Sequence, residues 1–183
     1  MNNIHSIMVN NIHSIIIFVF TFTLVSCGGQ DNNKVLVINA DSLKTPLTNV
    51  NKQLVKAEDE QIRDFIKRYG WDMNETGTGL RYLIYYNGNG AKAEAGKTAK
   101  INFEVKLITG DICYTSKNDG AKEFIIGKSN EISGLEEGIL LMKEGDKAKF
   151  VIPSHLAFGL LGDEDKIPKR ATLIYDVELI EIK

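Results

Sequence analysis

The chain has 183 residues, 43% of them hydrophobic, with 22 Lys and Arg against 24 Asp and Glu, three His and two Cys. That length holds one ordinary domain with short additions, and the hydrophobic share excludes global disorder. The formal net charge of −2 argues against a nucleic-acid binder, which normally shows a clustered basic excess. His5, His13 and Cys27 stand near the N-terminus, so the rest of the chain keeps His155 and Cys113. Those two side chains are too few for a structural zinc site of about four N/S ligands or for an intrachain disulfide. No metal and no cofactor is expected.

In chain order, residues 15–25 come first as the apolar run IIIFVFTFTLV. The run is shorter than the roughly 20 residues that span a bilayer, and it suits the h-region of a signal peptide. It ends in Leu24-Val25-Ser26-Cys27-Gly28-Gly29, which resembles a bacterial lipobox whose cysteine is lipidated and becomes the first mature residue. A buried helix that happens to end in Cys is the competing reading. Residues 1–14 carry no Lys or Arg, unlike the usual basic n-region. They repeat Asn-Asn-Ile-His-Ser-Ile from Asn2 and from Asn10, and Met8 offers a second start. The expectation is a signal peptide over 1–26 and an extracytoplasmic protein held on a bacterial membrane by acyl chains on Cys27.

Residues 27–50 are polar apart from the patch Val35-Leu36-Val37-Ile38, and read as a tether with at most one docking strand. Residues 51–75 form a helical extension. Ile62, Phe65, Ile66 and Tyr69 recur at i, i+3, i+4 and i+7, and Gly70 is a natural stop. Packing on its own domain is the simpler reading of that face, and binding a partner is the other. From residue 76 the period becomes 2: Leu80, Tyr82, Ile84 and Tyr86, a turn at 87–90, then Ala99, Ile101, Phe103, Val105 and Leu107. The polar residues between these apolar ones indicate a half-buried antiparallel strand. Short strands follow near 123–126 and 147–152, and Leu173, Tyr175, Val177 and Leu179 make the last. One helix interrupts them, with Ser133 and Glu136 as a capping box and a Leu135, Ile139, Met142 stripe. The pattern is an α+β domain over 76–183, a meander of about five strands with a helix on one face of a curved sheet.

Several motifs fail their context. Gly88-x-Gly90 lies between strands with no helix after it, so a dinucleotide loop is excluded. The adjacency of Ser154 and His155 carries no triad signal. Cys113 reads as a small buried hydrophobe rather than a reactive thiol, and Asp163-Glu164-Asp165 as a solvated loop tip. Phe124, Ile132, Leu135, Phe158, Ile167 and Tyr175 stand at element ends or in loops, outside ordinary strand logic; as core residues they need no other account.

These residues fall within a longer pattern. Residues 96–183 carry Phe124-x-x-Gly127, Ile132-Ser133-Gly134-Leu135-Glu136-Glu137-Gly138, Met142-x-x-Gly145-Asp146, Ile152-Pro153, Ala157-Phe158-Gly159, Ile167-Pro168 and the run 171–179. The stretch resembles the FK506-binding (FKBP) type of peptidyl-prolyl isomerase, with its blocks in the family's order. The preceding helix and Thr78-Gly79-Leu80-Arg81-Tyr82 resemble the extension of bacterial extracytoplasmic members. The signal and length resemble the gliding-motility-associated FKBP-type lipoproteins of Bacteroidetes.

The resemblance implies an FKBP-like curved sheet wrapped on one short helix, and a catalytic pocket for proline. Leu135 would form its floor, and Phe103, Phe124, Ile132, Phe158, Ile167 and Tyr175 its walls, with the Ile132 N–H receiving a substrate carbonyl. Cys113, Tyr114 and Glu131 are carried as substrate-binding positions. Cys113-Tyr114 stands where the family has Phe-Asp, and Phe158 and Phe103 where it has Tyr. A pocket ring, a carboxylate and two hydroxyls are therefore expected to be missing, at about 0.5–1.5 kcal/mol of substrate binding per lost hydrogen bond. The implied function is a membrane-anchored isomerase that helps exported proteins fold, with proline-containing peptides or unfolded chains as partners. The alternatives are a catalytically weak peptide-binding module and a structural lipoprotein of a gliding or envelope machine.

Overall fold

The computed structural model describes residues 40–183. The signal segment, Cys27 and the 35–38 patch lie outside the described residues. Helix α1, Ala40–Tyr69, opens them. It begins eleven residues earlier than its apolar periodicity shows, so part of the expected tether is helical. Its end follows the expectation. Gly70 takes φ +63°, and the N–H groups of Gly70 and Trp71 donate to the carbonyls of Lys67 and Ile66, which satisfies the last turn in a Schellman motif.

Strands β1 (Asn74–Glu75), β2 (Arg81–Tyr86), β3 (Thr98–Leu107), β4 (Ile112–Thr115), β5 (Lys122–Ile125), β6 (Lys147–Ile152) and β7 (Leu173–Ile182) form one antiparallel sheet. The helices between them are α2 (Ser116–Asp119) and α3 (Ser133–Leu140). The sheet order is β1-β2-β6-β7-β3-β4, with β5 also on β3. The expected strands are present, but they are not a meander. The longest pairing joins β3 to β7 across the domain, because both present long period-2 apolar faces that bury together. Strands β1 and β4 and the single turn α2 are too short for periodicity to reveal.

Period 2 gives the sheet two faces. Ala99, Ile101, Phe103 and Val105 of β3 join Ala148, Phe150 and Ile152 of β6 and Leu173, Tyr175, Val177 and Leu179 of β7 in the main core, under α3. Val151 and Ile174 point the other way and meet Ile62 and Phe65 of α1, with Trp71 and Met73 alongside. Helix α1 therefore packs on its own domain. Ile62 is fully buried, and burying an Ile or Phe side chain contributes about 1.5–3 kcal/mol.

Helix α3 lies close on β6 because its inner face is glycine. A Cβ on Gly134 would meet Ile152 Cγ2 at 2.4 Å, and one on Gly138 would meet the Phe150 ring at 2.7 Å. The expected capping box does not form. Ile132 is the N-cap, with no side-chain cap bond. Ser133 Oγ instead donates to the Leu156 carbonyl at 3.3 Å, and Glu136 Oε1 accepts from Ser129 Oγ at 2.6 Å and the Gly127 N–H at 3.1 Å. The neighbouring loops, brought in by the tertiary fold, compete successfully for both side chains.

Candidate active site

Strand β3 builds the floor of a cavity by changing partner along its length. Thr98 to Ile101 pair with β5, Glu104 to Lys106 with β4, and the sheet edge opens between them at Phe103. There the Phe103 N–H donates to Ser116 Oγ of α2 at 3.1 Å. Val105 sits opposite Tyr114 of β4 on one side and Tyr175 of β7 on the other. Directly paired residues share a face, so the two rings flank Val105 on the core side.

The resulting cavity, of about 450 Å³, is lined by Phe103, Val105, Tyr114, Glu131, Ile132, Phe158, Ile167 and Tyr175, together with Asp119, Lys122, Asn130 and Asp163. Phe103, Tyr114, Glu131, Ile132, Phe158, Ile167 and Tyr175 are thus brought together as the resemblance implies. Phe124, Leu135 and Cys113 are placed differently. All three belong to the buried cluster with Phe103 and Tyr175 and do not line the cavity. Leu135 is fully buried, because the glycine face of α3 brings it down onto the core. Among the described residues, no group accepts the Ile132 N–H.

The polar side of the cavity differs from the expectation. A ring and a carboxylate are present, from different places. The Tyr114 hydroxyl donates to Asp163 Oδ2, and Asp163 Oδ1 accepts the N–H groups of Ile167 at 2.7 Å and Asp165 at 3.0 Å. Asp163 is therefore a half-buried organiser of the loop carrying Phe158 and Ile167, and not a solvated tip. The hydrogen bond to Asp163, with burial second, holds the Tyr114 phenol well above its ordinary value. Burial works against the Asp163 carboxylate, but the Tyr114 hydroxyl and the two amides outweigh it and lower its pKa. The Lys166 ammonium lies 4.7 Å from the Tyr114 ring centroid on the outside. Burial, with Glu131 nearby, raises Tyr175. Across the mouth, Lys122 Nζ pairs with Glu131 Oε2 at 2.9 Å and stands 5.3 Å from the Phe103 ring centroid.

Cys113 is buried, with Sγ 3.8 Å from the Lys166 carbonyl, and desolvation, ahead of the Asp163 charge, raises its pKa. Sequence reasoning missed Val105, Asp119, Lys122, Asn130 and Asp163. Val105 alone was readable, as an inward position of the clearest strand.

The cavity lining includes no His, Cys, Ser or Thr. What the arrangement can do is enclose a compact apolar ring and offer it a few polar contacts. The barrier to rotating an amide is about 18–20 kcal/mol. The twisted state has lost amide resonance and its charge separation, so an apolar enclosure favours it over the planar ground state, which is catalysis by differential binding.

The family model for FKBP-type peptidyl-prolyl cis-trans isomerase matches residues 89–180. A probable FKBP-type peptidyl-prolyl cis-trans isomerase FkpA of Neisseria meningitidis is 36% identical over 135 residues, covering 72% of this chain and 49% of that protein. FK506-binding protein 2 of Dictyostelium discoideum is 41% identical over 92 residues, covering 50% of this chain and 69% of that one. The crystal structure of FkpA from Escherichia coli superposes with a TM-score of 0.62 at 29% identity, covering 75% of this chain and 64% of that chain. The chain spans about half the length of the bacterial relatives it matches. With a family model matching half of the chain and a relative 41% identical over most of its own length, the chain belongs to the FKBP-type peptidyl-prolyl cis-trans isomerase family.

Proposed function

We propose that the protein is a peptidyl-prolyl cis-trans isomerase that acts on proline-containing segments of unfolded exported proteins. The observation that carries the reading is the cavity walled by Phe103, Phe158, Ile132, Ile167 and Tyr175, in a chain of this family. The prolyl ring is enclosed by those side chains, and the Ile132 N–H donates to a substrate carbonyl. Phe158, Leu160 and Leu161 are exposed on the adjoining loop, the last at 76%, a surface suited to apolar stretches of an unfolded chain. Unaided X–Pro isomerisation takes tens to hundreds of seconds, so an isomerisation assay on a proline tetrapeptide tests the reading directly. Acceleration proportional to protein concentration is expected, and a spontaneous rate at every concentration overturns it.

Phe103 and Phe158 have no hydroxyl to donate, which favours a second reading, a peptide-binding module with little turnover. Peptide affinity without acceleration would establish it. The Ile15-to-Cys27 pattern supports an extracytoplasmic protein anchored through lipid on Cys27, and the resemblance to gliding-associated lipoproteins adds an envelope or gliding complex as a partner. No helix among the described residues is long and apolar enough to cross a membrane. The Cys27→Ala chain should leave the membrane fraction; if it stays, the lipid anchor is wrong. Co-purification with a fixed envelope complex is expected if the partner reading holds.

A further inference from the structure

One long connection, residues 154–172, carries Phe158 and Ile167 into the pocket, yet both of its ends meet a single side chain from far away in the chain. Glu58 of α1 accepts the Ser154 N–H at 2.6 Å on Oε1, the Ser154 hydroxyl at 2.9 Å on Oε2 and the Thr172 hydroxyl at 2.8 Å on Oε1. Ser154 and Thr172 are buried at 6% and 5% exposure. Ser154 passes the constraint on, since its carbonyl accepts the N–H groups of Ala157 at 3.1 Å and Gly159 at 2.8 Å, the two residues on either side of Phe158. The Gly159 carbonyl in turn accepts the Arg170 N–H at 2.7 Å, which closes the loop.

We infer that Glu58 is a positioning residue for the proline pocket: its carboxylate clamps the two ends of the 154–172 connection and so fixes where Phe158 and Ile167 stand. It touches no substrate. The inference rests on the isomerase reading for its kinetic consequence, and not for its structural one. It makes the extension helix part of the pocket's construction. Charge-assisted hydrogen bonds to buried donors are stronger than neutral ones, and removing their shared acceptor leaves the Ser154 and Thr172 groups buried without a partner. Glutamine suits the site almost as well as glutamate. Its carbonyl can take the Oε1 position with two donors, and its amide can donate to Ser154 Oγ, whose hydroxyl turns.

The neighbouring Asp59 supplies the control. Its Oδ1 accepts from Arg81 Nη2, so it ties the same helix to the domain without touching 154–172; Arg81 Nη2 also pairs with Glu75 Oε1 at 3.1 Å, a second partner for the guanidinium in an Asp59 variant. The test compares full-length wild type with Glu58→Ala, Glu58→Gln and Asp59→Ala in tetrapeptide isomerisation and in amide hydrogen exchange. Glu58→Ala should lower kcat/KM by roughly tenfold to a hundredfold, as for a misplaced binding group, chiefly through a raised KM. It should also speed exchange at 157–171 while β3 and β7 stay protected. Glu58→Gln should restore most of both, and Asp59→Ala should change neither by more than about twofold. Unchanged exchange and kinetics in Glu58→Ala overturn the inference. So does an equal loss in Asp59→Ala, which would assign the effect to helix docking alone. If Glu58→Ala fails to fold, Thr172→Val, which removes one of the three donors, must still raise exchange at 167–171, and no change there overturns the clamp. If wild type shows no turnover, the isomerase reading fails and the exchange measurement decides the clamp by itself.

Discussion

Replacing Gly138 by Ala places a methyl group 2.7 Å from Cζ, 2.8 Å from Cε2 and 3.0 Å from Cδ2 of Phe150, a fully buried ring. Carbon atoms in comfortable contact sit about 3.5–4.0 Å apart, so α3 must lift by roughly 0.8–1 Å or the ring must leave its place. Overpacking of this kind costs about 1–3 kcal/mol. Against it stands the helix preference for Ala over Gly, at most about 1 kcal/mol and less near the end of an eight-residue helix. The balance is a destabilisation of about 1–2 kcal/mol, readable as a lower urea midpoint at unchanged slope. Because α3 begins immediately after Ile132, a lifted helix also moves a pocket wall, and kcat/KM should fall in the same variant. A Gly138→Ala protein more stable than wild type, with unchanged turnover, would refute the reasoning and show that the Phe150 site yields freely.

Three further outcomes follow, two from the polar side of the cavity and one from the core beside it. Tyr114→Phe keeps the ring and removes its hydroxyl from Asp163, which should cost about 0.5–1.5 kcal/mol in stability and raise KM more than it lowers kcat in the tetrapeptide assay; an unchanged KM would free the loop from this bond. The Asp163 carboxyl has a lower pKa folded than unfolded, so its contribution is complete at neutral pH and is lost as pH falls from about 4, the ordinary aspartate value, through the folded one. Urea midpoints for wild type and Asp163→Asn should accordingly differ most near pH 7 and converge in acid; a gap that widens in acid contradicts the sign. Burial raises the Cys113 thiol, so iodoacetamide at pH 7.5 should modify it far more slowly in the folded protein than in urea, and equal rates would show the site open.

Local patterns were legible because they are properties of neighbouring residues. The alternation through Ala99, Ile101, Phe103 and Val105 makes β3 whichever strand pairs with it, and Ile62 and Phe65 mark the buried stripe of α1 before its partner is known. The family resemblance likewise pointed to Phe103, Phe124, Ile132, Leu135, Phe158, Ile167 and Tyr175 as one group, of which all but Phe124 and Leu135 line the cavity. Strand order was not legible, since period 2 says which face is apolar and nothing about which face it meets; β2 on β6 and β3 on β7 follow from burying the longest apolar faces together. The 135 side chain was read as a pocket floor, but how close α3 approaches β6 depends on Gly134 and Gly138 facing Ile152 and Phe150, a contact between distant segments. Tyr114 and Asp163 stand 49 positions apart, and Glu58 and Thr172 stand 114 apart. Such pairs leave no periodic trace, because a hydrogen bond needs only two groups at one place in space. Read in order, the residues marked the longer strands, the apolar stripe of α1, the faces these elements bury and the family. The tertiary structure alone decided which polar groups meet at the pocket, because only folding brings distant donors to one carboxylate.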